Sequence, residues 1–279
     1  MSDLLTYQFF INAIWAVLII SVSAALIGTY IVARRMVAIC GGITHACFGG
    51  LGLGYYFGLS PLAMAAAFAV ASSLGVEWVS SRHRVREDSA IAVVWSIGMA
   101  VGVLFVFLTP GYVPELNAFL FGNILSVSTL DLWLFGGFTL VAGTFFIWKF
   151  RQIVACAFDA DFARVNGLPV GAITTAMTIL TALCIVLTIR LVGVMLLMSM
   201  LSLPQITAEV FSRNFRPMML WSVVISIVGS LGGLMLSAWI DVPCSALIVL
   251  MFALIFSLVK TGAWLRDRFM FKRREASAA

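Results

Sequence analysis

The chain has 279 residues, 62% of them hydrophobic and 10% charged, with a formal net charge of +5 and a mean hydropathy of +1.10. A soluble domain carries about 25% charged residues, and no water-soluble core hides this much apolar side chain, so the composition excludes a soluble fold and requires a chain that crosses a membrane many times. The positive charge does not mark a nucleic-acid binder, because the cations flank hydrophobic runs, as they do at membrane surfaces.

In chain order, the first hydrophobic run covers 9–32. Ser2, Asp3 and Thr6 precede it instead of a basic segment, and it is too long for the apolar part of a signal peptide, so it reads as a retained span. Runs at 36–57, 62–80, 90–108 and 130–148 follow, then 170–189, a short 191–203, 218–239 and 246–259. A span needs about 20 apolar residues. The expected fold is therefore an all-α, polytopic membrane protein with about eight or nine transmembrane helices. Arg34 and Arg35, the cluster from Arg82 to Asp88, and Lys149 with Arg151 stop successive runs. Gly58, Ser60 and Pro61 make a tight turn, and Pro110, Gly111 and Pro114 open a longer loop. Within it, 116–123 reads as a candidate re-entrant half-helix, which requires shielding by protein or a cavity.

With the N-terminus outside and the C-terminus cytoplasmic, all 17 Lys and Arg except Arg190 fall on the cytoplasmic side, while Asp3, Glu115, Asp131 and Asp241 fall outside. The opposite orientation violates the positive-inside rule throughout. Residues 1–265 form one transmembrane domain in this reading, and 266–279 a basic cytoplasmic tail. Two cytoplasmic stretches carry more than a connection needs: FDADFARVNGLPV (158–170) and LPQITAEVFSRNFRPM (203–218). In the second, Pro204 suits a helix start. Over 205–216, Ile206, Val210, Phe211 and Phe215 share a face, with Glu209, Arg213 and Arg216 elsewhere. Such a helix either lies in the lipid interface or docks a soluble partner.

Several chemistries have no motif here. The chain lacks GxxxxGK[ST], so it carries no nucleotide-binding loop of that type. Two histidines, His45 and His83, do not make HExxH, and GxSxG is absent. Gly50, Gly52 and Gly54 lie inside a membrane run with no strand before them and read as close helix packing. Cys40, Cys47, Cys156, Cys184 and Cys244 have no paired spacing.

AICGGITHACFGG (38–50) is the most informative stretch. An ionisable group within a span is expensive and by default a functional candidate, and imidazole is a ligand for zinc, manganese or iron. On a helix, Gly41, His45, Gly49 and Gly52 form a stripe of small residues with one ring. That stripe either packs tightly on another helix or lines a narrow pathway; a histidine bonded to a neighbouring carbonyl is the plain alternative. Cys40 and Cys47 lie about 140° and about 200° off the His45 face and are poor same-helix partners. Glu87 and Asp88 open the fourth long run, where acidic groups suit a helix N-terminus or a role in metal exit, gating or subunit contact. Asp241 reads as a turn residue, Asp159 and Asp161 as cytoplasmic surface, and Arg190 as a contact for an acidic partner.

The order of landmarks resembles one family, the membrane-spanning permease subunit of zinc, manganese and iron ABC transporters. RRMVAICGGITHACFGGLGLGYYFGLSP (34–61) is similar to the family's basic turn and "GDxxxHAxLPGxxxxY" helix, and REDSAIAVVWSIGMAVGVLF (86–105) to its acidic-pair segment. LFGNILSVSTLDLW (120–133) resembles "LFGDILxVSxxDL", and 158–168 resembles "FDxEFAxxxGxxV". VGVMLLMSMLSLPQITAEVFSRNF (192–215) resembles "VGxLLxxALLxxPAATAxLLxxxF", and LSAWIDVPCSALIVLMFALIF (236–256) resembles "LSxxxDxPxGAxIVLxxxxxF".

The resemblance implies an importer subunit in the bacterial inner membrane that is not itself an enzyme. It implies a second permease copy, two cytoplasmic ATPase subunits and an extracytoplasmic metal-binding protein. A divalent metal ion is the cargo, and no cofactor is permanently bound. It makes Gln205, Ile206, Thr207, Ala208, Glu209, Val210, Phe211 and Arg213 the expected ATPase-docking residues and puts His45 on the metal pathway. Two positions depart from the family: Gly41, four before His45, stands where aspartate is frequent, and so does Asn123. Both changes remove an anion from the expected path, which leaves fewer hard ligands for a divalent ion. The competing reading is an ion-coupled secondary transporter acting without an ATPase. It calls for acidic groups in mid-membrane, whereas Glu77 and Asp131 lie near run ends.

Overall fold

The computed structural model describes residues 7–83, 86–110, 122 and 124–278, with the backbone alone at 81–83, 87, 190 and 269–278. Regular structure among these residues is helical: α1 (Gln8–Ala33), α2 (Val37–Phe57), α3 (Pro61–His83), α4 (Glu87–Leu108), α5 (Thr129–Phe158), α6 (Ala160–Val165), α7 (Val170–Met200), α8 (Leu203–Phe211), α9 (Phe215–Ile240) and α10 (Cys244–Ala278). Nine segments among the described residues are long and apolar enough to cross a membrane.

Local chemistry ends most of these helices where the sequence places a break. After α1, Arg35 takes a left-handed conformation (φ 58°) and the Met36 N–H donates back to the Ile31 carbonyl at 2.9 Å. Gly58 does the same for α2 (φ 66°), with Leu59 N–H reaching Gly54 C=O at 2.9 Å. Pro61 then opens α3, where a missing N–H is harmless. The Ser128–Asp131 pair is a capping box on α5: Asp131 N–H donates to Ser128 Oγ at 3.2 Å, and Ser128 N–H to Asp131 Oδ2 at 3.1 Å. Asp241 closes α9 at φ 60°, as a turn residue should.

Three boundaries differ from the sequence reading. Lys149 and Arg151 end the apolar run at 148 but not the helix, and α5 continues to Phe158. It stops where Asp159 becomes extended (φ −149°) and its carboxylate accepts the Phe162 N–H at 2.8 Å, capping α6. Likewise, α10 runs through Lys260 and Arg266 to Ala278, so the backbone has no break at 265/266 and the basic tail continues the last helix. Charge changes what solvates a helix, whereas a cap or a backbone turn ends it. The short run 191–203 is the third case. The seventh span is Leu191–Phe211 and includes α8. Gly193 (φ 75°, ψ 171°), near the start of that span, has a non-helical backbone that breaks α7. Gly122, at φ 63°, presses on that break: a β-carbon there would sit 2.7 Å from the Leu191 carbonyl oxygen and closer still to the Gly193 nitrogen. The rest of the candidate re-entrant segment lies outside the described residues.

The core joins α1, α2 and α7, where Ile20, Ile27, Ile31, Ile43, Met177, Ile185, Leu196 and Leu197 are fully enclosed. α2 is the most enclosed span, and α10 and α4 are the most open. Glycine explains the enclosure. A β-carbon on Gly98 of α4 would lie 2.5 Å from Ala46 Cα, and one on Gly102 2.5 Å from the Phe48 carbonyl oxygen. On the other side, Gly54 of α2 approaches Pro61 Cα of α3 to 2.7 Å by the same measure, and Gly50 meets the Met64 carbonyl. Lipid offers helices no hydrophobic reason to associate, so close backbone approach and the dispersion it brings hold them together. Trp133 and Trp239 stay exposed near helix ends, as aromatic belts at membrane surfaces do.

Candidate metal path and docking face

The helix α2 carries His45 to the edge of the α2–α4 contact. Its ring is half-buried and stacks on Trp95 of α4, with centroids 4.4 Å apart and an interplanar angle of 7°. Its Nδ1 is buried without a hydrogen-bond partner. The carbonyl-bonded histidine therefore does not describe that nitrogen. An unpaired buried nitrogen is costly unless a ligand uses it.

The glycines of the stripe divide. Gly49 and Gly52 face the α4 backbone: a β-carbon on Gly49 would lie 3.1 Å from the Gly98 carbonyl oxygen, and one on Gly52 2.5 Å from that of Gly102. These are helix-packing positions. Gly41 instead faces side chains, with Met198 Cε at 3.1 Å, Met198 Sδ at 3.5 Å and Trp95 Cζ3 at 3.6 Å from its would-be β-carbon. His45, Gly41, Trp95 and Met198 thus meet from three segments. Trp95 is 40% exposed, so this cluster borders the open side of α4. Neither Trp95 nor Met198 stands out in a sequence where aromatic and methionine residues are common within spans.

Asp88 is exposed and pairs with Arg86 at 3.5 Å. The Glu87 side chain and Asn123 lie outside the described residues. Glu77 on α3 is half-buried, accepting a hydrogen bond from Thr175 Oγ1 of α7 at 3.0 Å on Oε1, while Oε2 is buried and unpaired. Among the described residues, no three His, Cys, Asp or Glu side chains gather into a metal cage, and all five cysteines are free. A path that passes an ion through has no need of a closed cage.

The second candidate region is α8. Sequence periodicity predicts one amphipathic surface helix over 205–216, but the helix ends at Phe211 and Phe215 starts α9. Phe215 is buried against Phe150 and Phe158, at centroid distances of 5.9 and 6.4 Å. The face turned inward is also not the apolar one. Pro204, Gln205, Thr207 and Ala208 are buried, whereas Ile206 and Val210 are partly open and Glu209, Phe211 and Arg213 are exposed. In lipid, apolar side chains gain little by burial, so small and hydrogen-bonding residues take the interior. Gln205 Nε2 donates to the carbonyls of Ala24 and Met200, both at 3.1 Å. Gly28 makes room for that amide.

The outward residues of α8 open onto a groove of about 740 Å³ with Phe256, Lys260, Trp264 and Arg266 of α10. A neighbouring cavity joins Arg34, Arg35, Phe158, Glu209 and Arg213. Arg34 and Arg35 after α1, Arg213 after α8, and Lys260 and Arg266 within α10 therefore line neighbouring cavities on one face, together with Glu209 and Asp267. That face suits a folded protein partner better than a small molecule. At the other end of the bundle, Phe9, Gly122, Leu191, Asp241 and Pro243 line a separate cavity of about 360 Å³.

Nine apolar spans among the described residues, a half-open imidazole beside the core and a largely basic face fit a multi-pass membrane transport subunit. The chain belongs to the ABC 3 transport family, whose model matches residues 6–261. It is 33% identical to a probable iron transport system membrane protein of Haemophilus influenzae, over 95% of this chain and 97% of that one. It is 30% identical to the manganese transport system membrane protein MntC of Halalkalibacterium halodurans, over 92% and 88%. The structure of PsaBC from Streptococcus pneumoniae, solved with a Fab, superposes with a TM-score of 0.82 at 25% identity, covering 92% of this chain and 93% of that one. These likenesses make it a membrane-spanning permease subunit of the ABC 3 transport family, among relatives named for metal transport.

Proposed function

We propose that this chain imports transition-metal ions as one of two permease copies, powered by two separate cytoplasmic ATPase subunits and supplied by an extracytoplasmic metal-binding protein. The observation that carries the pathway is His45, a half-buried imidazole in the most enclosed span, with an unpartnered Nδ1. Iron, manganese and zinc are the cargo candidates: two relatives carry iron and manganese in their names, and zinc rests on imidazole chemistry. The N-terminus lies outside and the basic face in the cytoplasm, by the positive-inside rule. That orientation offers α8 and the groove beside α10 to the ATPase, whose closure would push on Ile206, Glu209, Val210, Phe211 and Arg213. Gln205, Thr207 and Ala208 then transmit the push into α1 and α7. Glu87, Asp88 and Asn123 remain candidates for gating or exit.

The test is metal uptake into proteoliposomes holding the permease with its ATPase and binding protein. Uptake that requires internal ATP and falls on His45→Ala, with insertion and assembly retained, supports the reading. Uptake that survives ATP depletion and collapses with a proton uncoupler overturns it in favour of an ion-coupled carrier.

A further inference from the structure

At Gly41 this chain lacks the carboxylate that the resemblance places four residues before His45, and the structure shows what fills the space. Met198 reaches across from the seventh span, its Cε and Sδ 3.1 and 3.5 Å from the point where a side chain at 41 would begin. Trp95 closes the same pocket, touching the Gly41 position at 3.6 Å and stacking on the His45 ring one helical turn away. The thioether and the indole therefore both border Gly41, and the indole carries the imidazole one turn further along α2. The nitrogen His45 Nδ1 is unpaired, and Met198 is only partly buried, so neither is locked into the core.

We propose that Met198 is a cargo-selecting residue: its sulfur joins His45 on the metal path and turns a hard, anionic transit site into a neutral, softer one that favours zinc or ferrous iron over manganese. This rests on the pathway role of His45 proposed above. The chemistry follows from ligand softness. Carboxylate oxygen suits manganese, whereas thioether sulfur and imidazole nitrogen suit softer or borderline ions. A neutral pair also compensates less of a divalent charge, which shortens residence at a site that must release its ion. Cys40 and Cys47 do not supply the sulfur, since both are buried and turned away from the His45 face.

The test compares ATP-driven uptake of manganese, zinc and ferrous ion by the assembled transporter, one metal at a time. The unsubstituted protein should prefer zinc or ferrous ion. Met198→Leu, close in volume, should cut uptake of the preferred metal on the order of tenfold and manganese uptake less, so that the ratio of the two falls. Gly41→Asp, whose β-carbon meets only the flexible end of Met198 and the Trp95 rim, should shift preference toward manganese. X-ray absorption of the zinc-loaded transporter should show a sulfur neighbour that Met198→Leu removes. A preference for manganese in the unsubstituted protein, or a metal ratio and sulfur shell unaffected by Met198→Leu, overturns the proposal. If His45→Ala leaves uptake of every metal intact, the pathway reading has failed. If His45→Ala stops uptake while Met198→Leu changes nothing, only the selecting role of Met198 has failed.

Discussion

His45 and Gln205 are both polar side chains held within apolar spans, yet the fold treats them differently. Gln205 is fully enclosed, and its amide nitrogen donates to two carbonyls, one in α1 and one at the end of α7. It pins α8 to the bundle. His45 is half-open, stacks on a partly exposed indole, and keeps a buried nitrogen without a partner. Each keeps one buried atom without a partner, Gln205 Oε1 and His45 Nδ1, so what separates them is that Gln205 is fully enclosed and tied through its nitrogen to two carbonyls, while His45 sits beside a partly exposed ring.

Four substitutions probe that contrast. The largest effect is expected from Gly28→Leu, which drives a side chain into the Gln205 amide and the Leu201 carbonyl, the latter 2.7 Å from the new β-carbon. Overpacking at a backbone contact should cost about 3 kcal/mol or more, read as loss of monodisperse protein in detergent. Normal folding of this variant would show that the Gln205 staple is dispensable. His45→Ala should lower uptake about tenfold or more with no fall in Tm; a lower Tm with uptake scaling to folded protein would make His45 structural as well. Arg213→Glu, at the exposed rim of the docking face, should weaken recovery of the ATPase subunit, most strongly at low salt, and leave Tm alone. Salt-independent recovery equal to the unsubstituted protein would move docking elsewhere. The smallest effect belongs to Gln205→Leu, which removes two hydrogen bonds worth about 1 kcal/mol within a membrane and so shifts Tm by about 2–4 °C. A shift in ATP coupling without a shift in Tm would give Gln205 a role in transmission beyond its staple.

Much of the bundle was legible in the residues, and the misreadings share a cause. Periodicity on 205–216 identified a helix and its outward apolar residues Ile206, Val210 and Phe211, but ran the helix past its end at Phe211. Inside a membrane the small and hydrogen-bonding face of α8 packs inward, and Phe215 leaves for the next helix. The stripe Gly41, His45, Gly49 and Gly52 was visible as a pattern, while its division into packing glycines and an open glycine was not, because α4 and Met198 come from distant sequence. The spacing of Lys149 and Arg151 misplaced the end of α5, since solvation of a charge and termination of a helix are different events.

The sequence by itself determined the apolar spans, the turns at Gly58 and Asp241, and the family likeness. Each depends on interactions within a few residues or on composition over about twenty. Only the tertiary structure decided which glycines touch backbone, that Gly122 abuts the break at Gly193, and that Trp95 and Met198 close around His45. Those facts depend on how helices cross, and crossing is set by shape and backbone hydrogen bonding between segments far apart in the chain.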